Sequence, residues 1–231
     1  MRIGTYNIRG MSDDVPALVR VIHAMAPDIL CVQEAPRFLW WRRRRAELGE
    51  LTGLRIAAGR RLGGLAVYVR PGVRVLHEET HVLKIFLPRE IRGLALAVVE
   101  LDGVRLAVAS IHLDLVPAQR LYHATEIVTL VERAAARFGA IPVVCGDINE
   151  KEHEPTWRYL AARFADCYPL APSGDGHTFT ARNPASRIDA IFAGPGLTVR
   201  SCGGVAATRE DLAAATDHLP VVAELTAAGT P

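Results

Sequence analysis

The sequence predicts an α/β fold in which two packed β-sheets are flanked by helices. Strand-like apolar runs outnumber amphipathic helical segments, and a hairpin occurs alongside strand–helix–strand units. Several of these runs are apolar throughout, which is typical of strands that are covered on both faces. The sequence contains no repeat of fixed period and no linker, so we expect a single domain over residues 1–231.

The first part of the chain is predicted to form a strand, a helix and a second strand. Residues 2–8 form the first strand, and the segment SDDVP at 12–16 supplies residues that cap a helix and a proline that suits its first turn. Apolar residues then recur at helical spacing as far as Met25. The apolar run DILCVQ follows as a strand and ends at Glu34.

The middle of the chain is rich in strands and contains the clearest hairpin. Asp102-Gly103 separates the runs LALAVVEL and VRLAVASI, and this dipeptide between two apolar runs is the strongest short hairpin pattern. The other elements predicted here are a helix within 38–51, strands at 65–70 and near 82–87, and a long amphipathic helix that starts at Pro117.

The last part of the chain is predicted to add four strands and one helix. The run IPVVC forms a strand that leads into GDIN at 146–149, and a helix is expected around Trp157 and Leu160. A loop rich in Gly, Pro and Ser follows. The remaining strands are RIDAIF, residues 197–202 and PVVAEL.

The composition excludes several classes of protein. The chain has 27 Lys and Arg against 25 Asp and Glu, so it is not strongly basic, and its net charge of +2 neither excludes nor indicates binding to long DNA. No run approaches the roughly 18 apolar residues of a membrane-spanning helix, and MRIGTYNIRG lacks the apolar segment of a secretion signal. We therefore expect no membrane span and a cytoplasmic location.

The four cysteines form no CxxC pair, which favours reduced, buried thiols over a secreted disulfide scaffold. A domain of this length can bury about 70% of its unfolded surface and needs no metal merely to fold. Any metal that the chain binds is therefore expected to take part in catalysis and not in folding. The sequence has no HExxH, P-loop or GxSxG motif that would indicate a zinc protease, a nucleoside triphosphatase or a serine hydrolase.

Polar residues that can bind a metal or a phosphate stand at the ends of several predicted strands. They are Asn7, Glu34, His112, Asp147 and Asn149, and Asp189, Asp217 and His218 are further candidates near the last strands. When strands that end at one edge of a sheet each finish in such a residue, a shared polar cleft is the simplest account.

The motifs around these residues resemble those of the endonuclease/exonuclease/phosphatase superfamily. They are TYNI, VQE, HLD at 112–114, GDIN, RIDAIF and TDH, and they occur in the superfamily's order over residues 5–218. The resemblance implies a four-layer α/β sandwich with two central mixed sheets flanked by helices. It also implies divalent-metal-dependent cleavage of a phosphate ester by direct attack of water.

The resemblance implies a role for each polar residue. Glu34 would bind the metal, with Asn7 and Asp217 in or near its shell, and such hard oxygen ligands suit Mg²⁺ or Mn²⁺. His218 would orient the attacking water or take its proton, and Asp189 would hold that imidazole. Asp147 also contacts the nucleophile, so either Asp147 or His218 can be the base.

The other two site residues are predicted to contact the phosphate itself. Asn149 would donate from its amide, and His112, if protonated, would donate a charge-assisted hydrogen bond to a non-bridging oxygen. His112 resembles the histidine of the deoxyribonuclease I and sphingomyelinase branches, which argues against an abasic-site specialist. Arg9 stands where several branches carry an acidic residue, so a second metal site is not expected.

Three other features have a structural and a functional interpretation. The run WWRRRR at 40–45 is expected to be a solvated helix with one Trp packed inward, in preference to a nucleic-acid-binding patch. KIFLP at 84–88 is expected to be a core strand, in preference to an exposed apolar hairpin for membranes. Arg187 either serves the site or only braces the cleft wall.

The sequence therefore predicts a monomeric hydrolase of phosphate esters whose substrate is a small or accessible phosphodiester, with nucleic acid among the candidates. The alternative is a catalytically silent binding module with the same sandwich. The complete set of polar residues argues against that alternative, because a module freed from catalysis has no need for all of them.

Overall fold

The computed structural model describes residues 1–88 and 90–228 and shows two packed β-sheets between two layers of helices. The predicted four-layer α/β sandwich is therefore confirmed. Within the described residues, no helix is both long enough and apolar enough to cross a membrane.

One sheet has seven strands and contains both ends of the described chain. In spatial order the strands are β10 (Pro172–Ser173), β12 (Leu197–Gly203), β13 (Val221–Ala227), β1 (Arg2–Asn7), β2 (Ile29–Gln33), β4 (Ala66–Val69) and β3 (Arg55–Ala58). Strands β1 and β2 are parallel, as the predicted strand–helix–strand unit requires, whereas β13 pairs with β1 in the antiparallel sense.

The other sheet has six strands and contains the predicted hairpin. In spatial order the strands are β5 (Arg74–Val82), β6 (Gly93–Leu101), β7 (Val104–His112), β8 (Ile141–Asp147), β11 (Asp189–Ala193) and β9 (Ala165–Asp166). Asp102 and Gly103 join β6 to β7 with φ values of 52° and 78°, the left-handed conformation that the Asp-Gly turn needs.

Six α-helices occur in the described chain. They are α1 (Val15–Met25), α2 (Trp41–Thr52), α3 (Pro117–Phe138), α4 (Pro155–Ala161), α5 (Cys167–Leu170) and α6 (Arg209–Ala215). The side chain of Asp14 caps α1 by accepting a hydrogen bond from the backbone N of Ala17 at 2.8 Å, which agrees with the prediction for the 12–16 segment.

Three apolar clusters hold the layers together. The first lies between the two sheets and contains all four cysteines, which are free and buried. The second packs α3 and α4 on the outer face of the six-stranded sheet, and the third packs α1 and α6 on the outer face of the seven-stranded sheet. The central strands of both sheets are thus covered on both faces, which accounts for the continuously apolar sequences of strands such as β2 and β6.

The prediction of a core strand near 82–87 is wrong. Strand β5 ends at Val82, and residues 83–88 form a loop in which Leu87 is 85% exposed. This loop packs on α3 instead of joining the sheet, since the carbonyl of Lys84 lies 2.8 Å from Nε2 of His123. The backbone N of Lys84 also donates to Oε2 of Glu126 at 3.0 Å.

The basic run at 40–45 differs from the prediction in which side chain packs inward. Trp40 is exposed, whereas Arg45 is fully buried and donates hydrogen bonds to the carbonyls of Pro36 and Leu65. The guanidinium of Arg45 also lies 5.0 Å from the ring centroid of Trp41, which is partly buried. Arg45, whose guanidinium donates to backbone carbonyls, is therefore the residue of this run that packs inward, where a tryptophan was expected.

Candidate active site

Strand register places three of the predicted residues next to one another across the six-stranded sheet. His112 at the end of β7 pairs with Asp147 at the end of β8, and Asp147 pairs with Asp189 at the start of β11. Gly146 permits this arrangement, because a Cβ at that position would lie 2.0 Å from the carbonyl oxygen of Ile111.

The seven-stranded sheet supplies Asn7 and Glu34 from the adjacent ends of β1 and β2. The amide Nδ2 of Asn7 donates to Oε1 of Glu34 and to Oδ2 of Asp147, at 3.1 Å in each case. The same nitrogen lies 3.4 Å from Nε2 of His218. Asn7 is fully buried between the sheets and therefore connects the polar groups of the two sheets.

A buried polar network lies between the sheets beneath Asn7 and Glu34. Oγ1 of Thr5 donates to Oε1 of Gln33 at 3.1 Å, and Nε2 of Gln33 donates to Oγ of Ser110 at 3.0 Å. Oγ of Ser110 in turn donates to the carbonyl of Val32. These bonds fix β2 against β7 directly below the site, so the strand ends that carry its polar groups are held at a defined spacing.

His218 is held by Asp189 and points its other nitrogen into the site. Nδ1 of His218 lies 2.9 Å from Oδ2 of Asp189, and Nε2 lies 3.7 Å from Oδ2 of Asp147. Burial alone would lower the pKa of His218, but the nearby carboxylates of Asp189, Asp147 and Asp217 outweigh it and raise that pKa to about 9. The imidazole is therefore well placed to carry a proton.

Asp147 is the carboxylate at the centre of the site. It is 1% exposed, and burial together with the charge of Asp189 raises its pKa, although His218 and the hydrogen bond from Asn7 act in the opposite direction. Its Oδ1 accepts a hydrogen bond from the backbone N of Asn149 at 3.0 Å. A carboxyl whose pKa is raised towards neutrality suits proton transfer at neutral pH.

His112 lies on the opposite side of Asp147 from Asp189. Its Nε2 is 3.5 Å from Oδ2 of Asp147. Burial and the positive charges of Arg92, His218 and Arg37 lower its pKa well below the ordinary value. This environment favours a neutral imidazole that offers one N–H donor, whereas the charge-assisted hydrogen bond considered from the sequence would need a protonated ring.

Asn149 and Glu34 both adopt left-handed backbone conformations, with φ values of 54° and 49°. Such conformations are uncommon for residues other than glycine and concentrate at functional sites. The side chain of Asn149 donates from Nδ2 to the carbonyl of Leu113 at 3.0 Å, which fixes the turn after β8 against the turn after β7.

Asp217 lies at the rim of the site. Its side chain is 39% exposed, and its Oδ2 is 3.9 Å from Nε of Arg9. The backbone N of Arg9 donates to Oδ1 of Asn7 at 3.1 Å, so Arg9 connects the two residues. The guanidinium of Arg9 thus adds positive charge beside Glu34, since both residues line one depression.

The site contains two sets of donors, the predicted ligands Asn7, Glu34 and Asp217 and a separate cluster of Asp147, Asp189 and His218. Among the described residues, one ligand atom from each of Asp147, Asp189 and His218 can be chosen so that all three lie within 4.8 Å of one another. Oδ1 of Asp189 is buried and has no hydrogen-bond partner among the described residues, as expected of an oxygen that receives a ligand. Carboxylate oxygens are the ligands that Mg²⁺ and Mn²⁺ prefer.

Two arginines near His112 were not predicted from the sequence. Arg92 is 7% exposed, stands immediately before β6, and has an Nε that makes no hydrogen bond within the part of the chain that the structure describes. Nη2 of Arg37 donates to Oε1 of Glu90 at 2.7 Å, and Oε2 of Glu90 lies 3.6 Å from Nη1 of Arg92. Neither arginine belongs to a recognised motif. The only sequence feature that points to a place near the site is that Arg92 precedes the apolar run of β6 and that Arg37 follows the end of β2.

Arg187 braces the wall of the site. Its guanidinium donates two hydrogen bonds to the carboxylate of Asp166, at 2.9 and 3.0 Å. It also lies 4.5 Å from the ring centroid of Trp157 and 5.1 Å from that of Tyr168. These contacts favour the structural interpretation of Arg187.

Comparison with known proteins supports the resemblance seen in the motifs. The profile of the Endonuclease/Exonuclease/phosphatase family matches residues 4–218. No curated protein sequence matches the chain.

Solved structures with the same fold cover almost the whole chain. An endonuclease/exonuclease/phosphatase from Bacteroides vulgatus is 22% identical, with a TM-score of 0.82 and 98% of each chain covered. A mannosyl-6-phosphatase from Bacteroides thetaiotaomicron is 17% identical, with a TM-score of 0.80, and 98% of this chain and 99% of that one are covered. The catalytic domain of human Nocturnin, solved with bound sulfate, is 17% identical, with a TM-score of 0.75 and coverages of 98% and 94%.

Proposed function

The chain belongs to the endonuclease/exonuclease/phosphatase family, and from this premise we propose that it is a divalent-metal-dependent phosphoesterase in which Asp147 and His218 act on the attacking water. Members of this family are hydrolases of phosphate esters. The observation that carries the proposal is the position of Asp147, whose Oδ2 lies within 3.1 to 3.7 Å of Asn7, His112 and His218.

The proposed cation is Mg²⁺ or Mn²⁺, and Glu34 would hold it with Asn7 and Asp217 near or in its shell. When bound, such a cation would neutralise the scissile phosphate and the oxygen that leaves. Glu34 is suited to this role because its strained backbone turns it from the end of β2 towards Asn7, while the residue stays partly exposed.

The proton chemistry is assigned to Asp147, His218 and Asp189. Asp189 holds Nδ1 of His218, so that Nε2 faces Asp147 and the water that attacks phosphorus. Asp147 and His218 would together orient this water. Because a pKa of about 9 keeps His218 protonated at neutral pH, Asp147, whose pKa is raised to about 7, would be the group that accepts the proton of the water.

His112 and Asn149 are assigned to the phosphate. Both flank Asp147, His112 through its Nε2 and Asn149 through its backbone N. Each can donate to a non-bridging oxygen as negative charge develops in the pentacovalent transition state. Arg92 and Arg37 would add positive charge on the His112 side.

We further propose that residues 1–231 act as one catalytic domain, as a monomer in the cytoplasm, on a small or accessible phosphodiester, with nucleic acid among the candidates. A catalytically silent binding module would retain the sandwich without needing a buried Asp147 surrounded by proton donors. Burial of such a carboxylate is unfavourable unless its charge is used or compensated.

A substrate panel tests this function. The protein is incubated with bis-p-nitrophenyl phosphate, a single-stranded oligonucleotide and sphingomyelin, each with Mg²⁺, with Mn²⁺ or with EDTA. We expect turnover of at least one ester that needs the metal and is lost in Asp147→Asn. Turnover that persists in EDTA would contradict the metal dependence, and no turnover on a broad panel would favour the binding module.

A further inference from the structure

The most exposed apolar side chains of the described chain lie on three loops that adjoin elements of the site. The five large hydrophobic residues with the highest exposure are Phe38 (74%), Leu39 (79%), Trp40 (69%), Leu87 (85%) and Leu115 (71%). The first three follow Glu34 closely in sequence, Leu115 follows His112, and Leu87 lies on the loop that leads to Arg92. We call these five residues the apolar rim.

Ion pairs join the three loops of the apolar rim, and one of them brings Nε of Arg92 to 4.0 Å from Oδ2 of Asp114, the residue before Leu115. The ion pair between Arg37 and Glu90 joins the loop that carries Phe38 to the loop that carries Leu87. Trp40 has a φ of 62°, so an uncommon backbone conformation holds it at the start of α2. Exposed apolar residues gathered at one edge, next to a catalytic mouth, mark a surface that contacts something other than water.

Positively charged side chains lie close to the apolar rim. A depression of about 180 Å³ beside Glu34 is lined by Arg9, Arg37 and Arg44 together with Phe38. Its wall continues through Arg61, whose Nε donates to the carbonyl of Arg37 at 3.0 Å.

The charge continues into a second, wider groove. This groove, of about 750 Å³, contains Arg42, Arg60 and Arg61 beside Trp41. Within residues 1–88 and 90–228, no carboxylate forms an ion pair with Arg42, Arg60 or Arg61. These cations are therefore available to an anionic partner.

The chemistry of the apolar rim favours one class of partner. Single-stranded nucleic acid would use aromatic residues, because bases stack on flat rings. Three of the five rim residues are leucines with exposures between 71% and 85%, and leucine has no flat ring to offer a base. Leucine, phenylalanine and tryptophan beside arginines are instead the residues that enter an anionic lipid surface.

We propose that the apolar rim docks the mouth of the site onto an anionic lipid surface. Phe38, Leu39, Trp40, Leu87 and Leu115 enter the interface, and the arginines around them attract anionic headgroups. The docking does not depend on hydrolysis. Only its consequence, that the phosphate ester is carried by an amphiphile at that surface, rests on the proposed function.

Vesicle binding in EDTA tests the docking without any catalysis. The full chain is mixed with phosphatidylcholine vesicles that contain or lack phosphatidylglycerol, and the bound fraction is measured by co-sedimentation. We expect binding to the anionic vesicles only, with loss at high salt and a blue shift of tryptophan emission that disappears in Trp40→Phe. Equal or absent binding to both vesicle types would overturn the proposal.

Matched variants separate the apolar rim from general surface hydrophobicity. Leu39→Ser combined with Leu87→Ser is expected to weaken binding to anionic vesicles at least tenfold. Leu170→Ser, at a 62% exposed leucine outside the rim, should leave binding unchanged. The double variant should also keep the wild-type kcat/KM on soluble bis-p-nitrophenyl phosphate, if the chain hydrolyses it. Unchanged vesicle binding in the double variant would contradict the proposal.

A binding measurement with nucleic acid tests the alternative partner of the apolar rim. Binding of a labelled single-stranded oligonucleotide is measured for the wild type and for Phe38→Ser combined with Trp40→Ser. Tight binding that these substitutions abolish, together with no binding to either vesicle, would assign the rim to nucleic acid and overturn the lipid proposal. A chain that binds vesicles but hydrolyses no ester would retain the docking surface and lose only the proposed function.

Discussion

Oδ2 of Asp189 lies 2.9 Å from Nδ1 of His218, and this contact fixes which nitrogen of the imidazole faces the rest of the site. Asp189 begins β11 of the six-stranded sheet, and His218 lies in the segment that leads into β13 of the seven-stranded sheet. The orientation of the His218 imidazole therefore depends on how the two sheets are positioned relative to each other.

Removing either central group should impair turnover without unfolding the protein. We predict that Asp147→Ala or His218→Ala lowers kcat by roughly 10² to 10⁴, the usual contribution of a positioned acid or base. Steady-state kinetics measure the effect, and circular dichroism checks that the fold persists. A variant with unchanged kcat would remove that residue from the mechanism.

Glu34→Gln should weaken cation binding, because an amide oxygen keeps the shape of the carboxylate but loses its charge. We predict that Mn²⁺ affinity, measured by calorimetry, falls by about 10-fold or more. The matched control is Glu90→Gln, which removes a neighbouring carboxylate that pairs with Arg37 instead of facing Asn7. Equal loss of affinity in both variants would mean that Glu34 acts only through the general electrostatic field.

Two substitutions of Asn149 distinguish the effect of its backbone conformation on stability from the effect of its side-chain amide on activity. Its φ of 54° is left-handed, so Asn149→Ala should cost about 1 to 2 kcal/mol of unfolding free energy, whereas Asn149→Gly should cost less. Both variants should lose activity, because both lack the amide. Chemical denaturation and kinetics on the same samples test this, and full activity in Asn149→Gly would exclude the side chain from phosphate contact.

Arg187 should matter for stability more than for turnover. Its guanidinium and the carboxylate of Asp166 are both about 10% exposed, at 11% and 10%, and breaking a buried pair leaves one charge without a partner. We predict that Arg187→Met lowers the unfolding free energy by about 3 kcal/mol. Replacing both residues, as Arg187→Met with Asp166→Asn, should recover part of that loss. A double variant as unstable as the sum of the singles would contradict this account.

Glu79 provides a pH-dependent contribution away from the site. Burial would raise the pKa of Glu79, but hydrogen bonds with His81 and His77 outweigh it and leave that pKa below its usual value. A carboxylate with a lowered pKa stabilises the folded state above its unfolded-state pKa, and this contribution disappears as the pH falls through the folded-state pKa.

Glu79→Gln should therefore lower the unfolding free energy by about 1 kcal/mol or less at about pH 6, and the difference from wild type should disappear as the pH falls from there through the lowered folded-state pKa of Glu79. Urea unfolding across that range measures it. A difference that grows as the pH falls would mean that the carboxylate destabilises the fold.

The strand ends were predictable because each functional side chain follows a run of buried residues. Asn7, Glu34, His112 and Asp147 all stand where an apolar strand stops, and parallel pairing of β1 with β2 and of β7 with β8 brings those ends together. The Asp-Gly hairpin was predictable for a similar local reason, since its turn residues require left-handed conformations.

The mouth of the site was not predictable, because its contacts join loops that are distant in sequence. Arg37 meets Glu90 across 53 residues, and no periodicity or motif marks either one. The segment 84–88 is apolar enough for a strand, but β6 begins only at Gly93, which pairs with Val82, so no neighbouring strand remains for Leu87. Whether an apolar segment forms a strand depends on a neighbouring strand elsewhere in the chain, and the sequence of the segment alone does not show whether that strand exists.

A crystal structure of the chain soaked with Mn²⁺ and phosphate would show directly whether Glu34 and the residues around Asp147 bind the metal and the phosphate. We expect an anomalous Mn²⁺ peak within coordination distance of a Glu34 carboxylate oxygen, with a phosphate between that ion and the His112 and Asn149 side chains. A peak remote from Glu34, or a phosphate bound without contact to Asp147 or His218, would contradict the assignment of this cluster as the centre of phosphate ester hydrolysis.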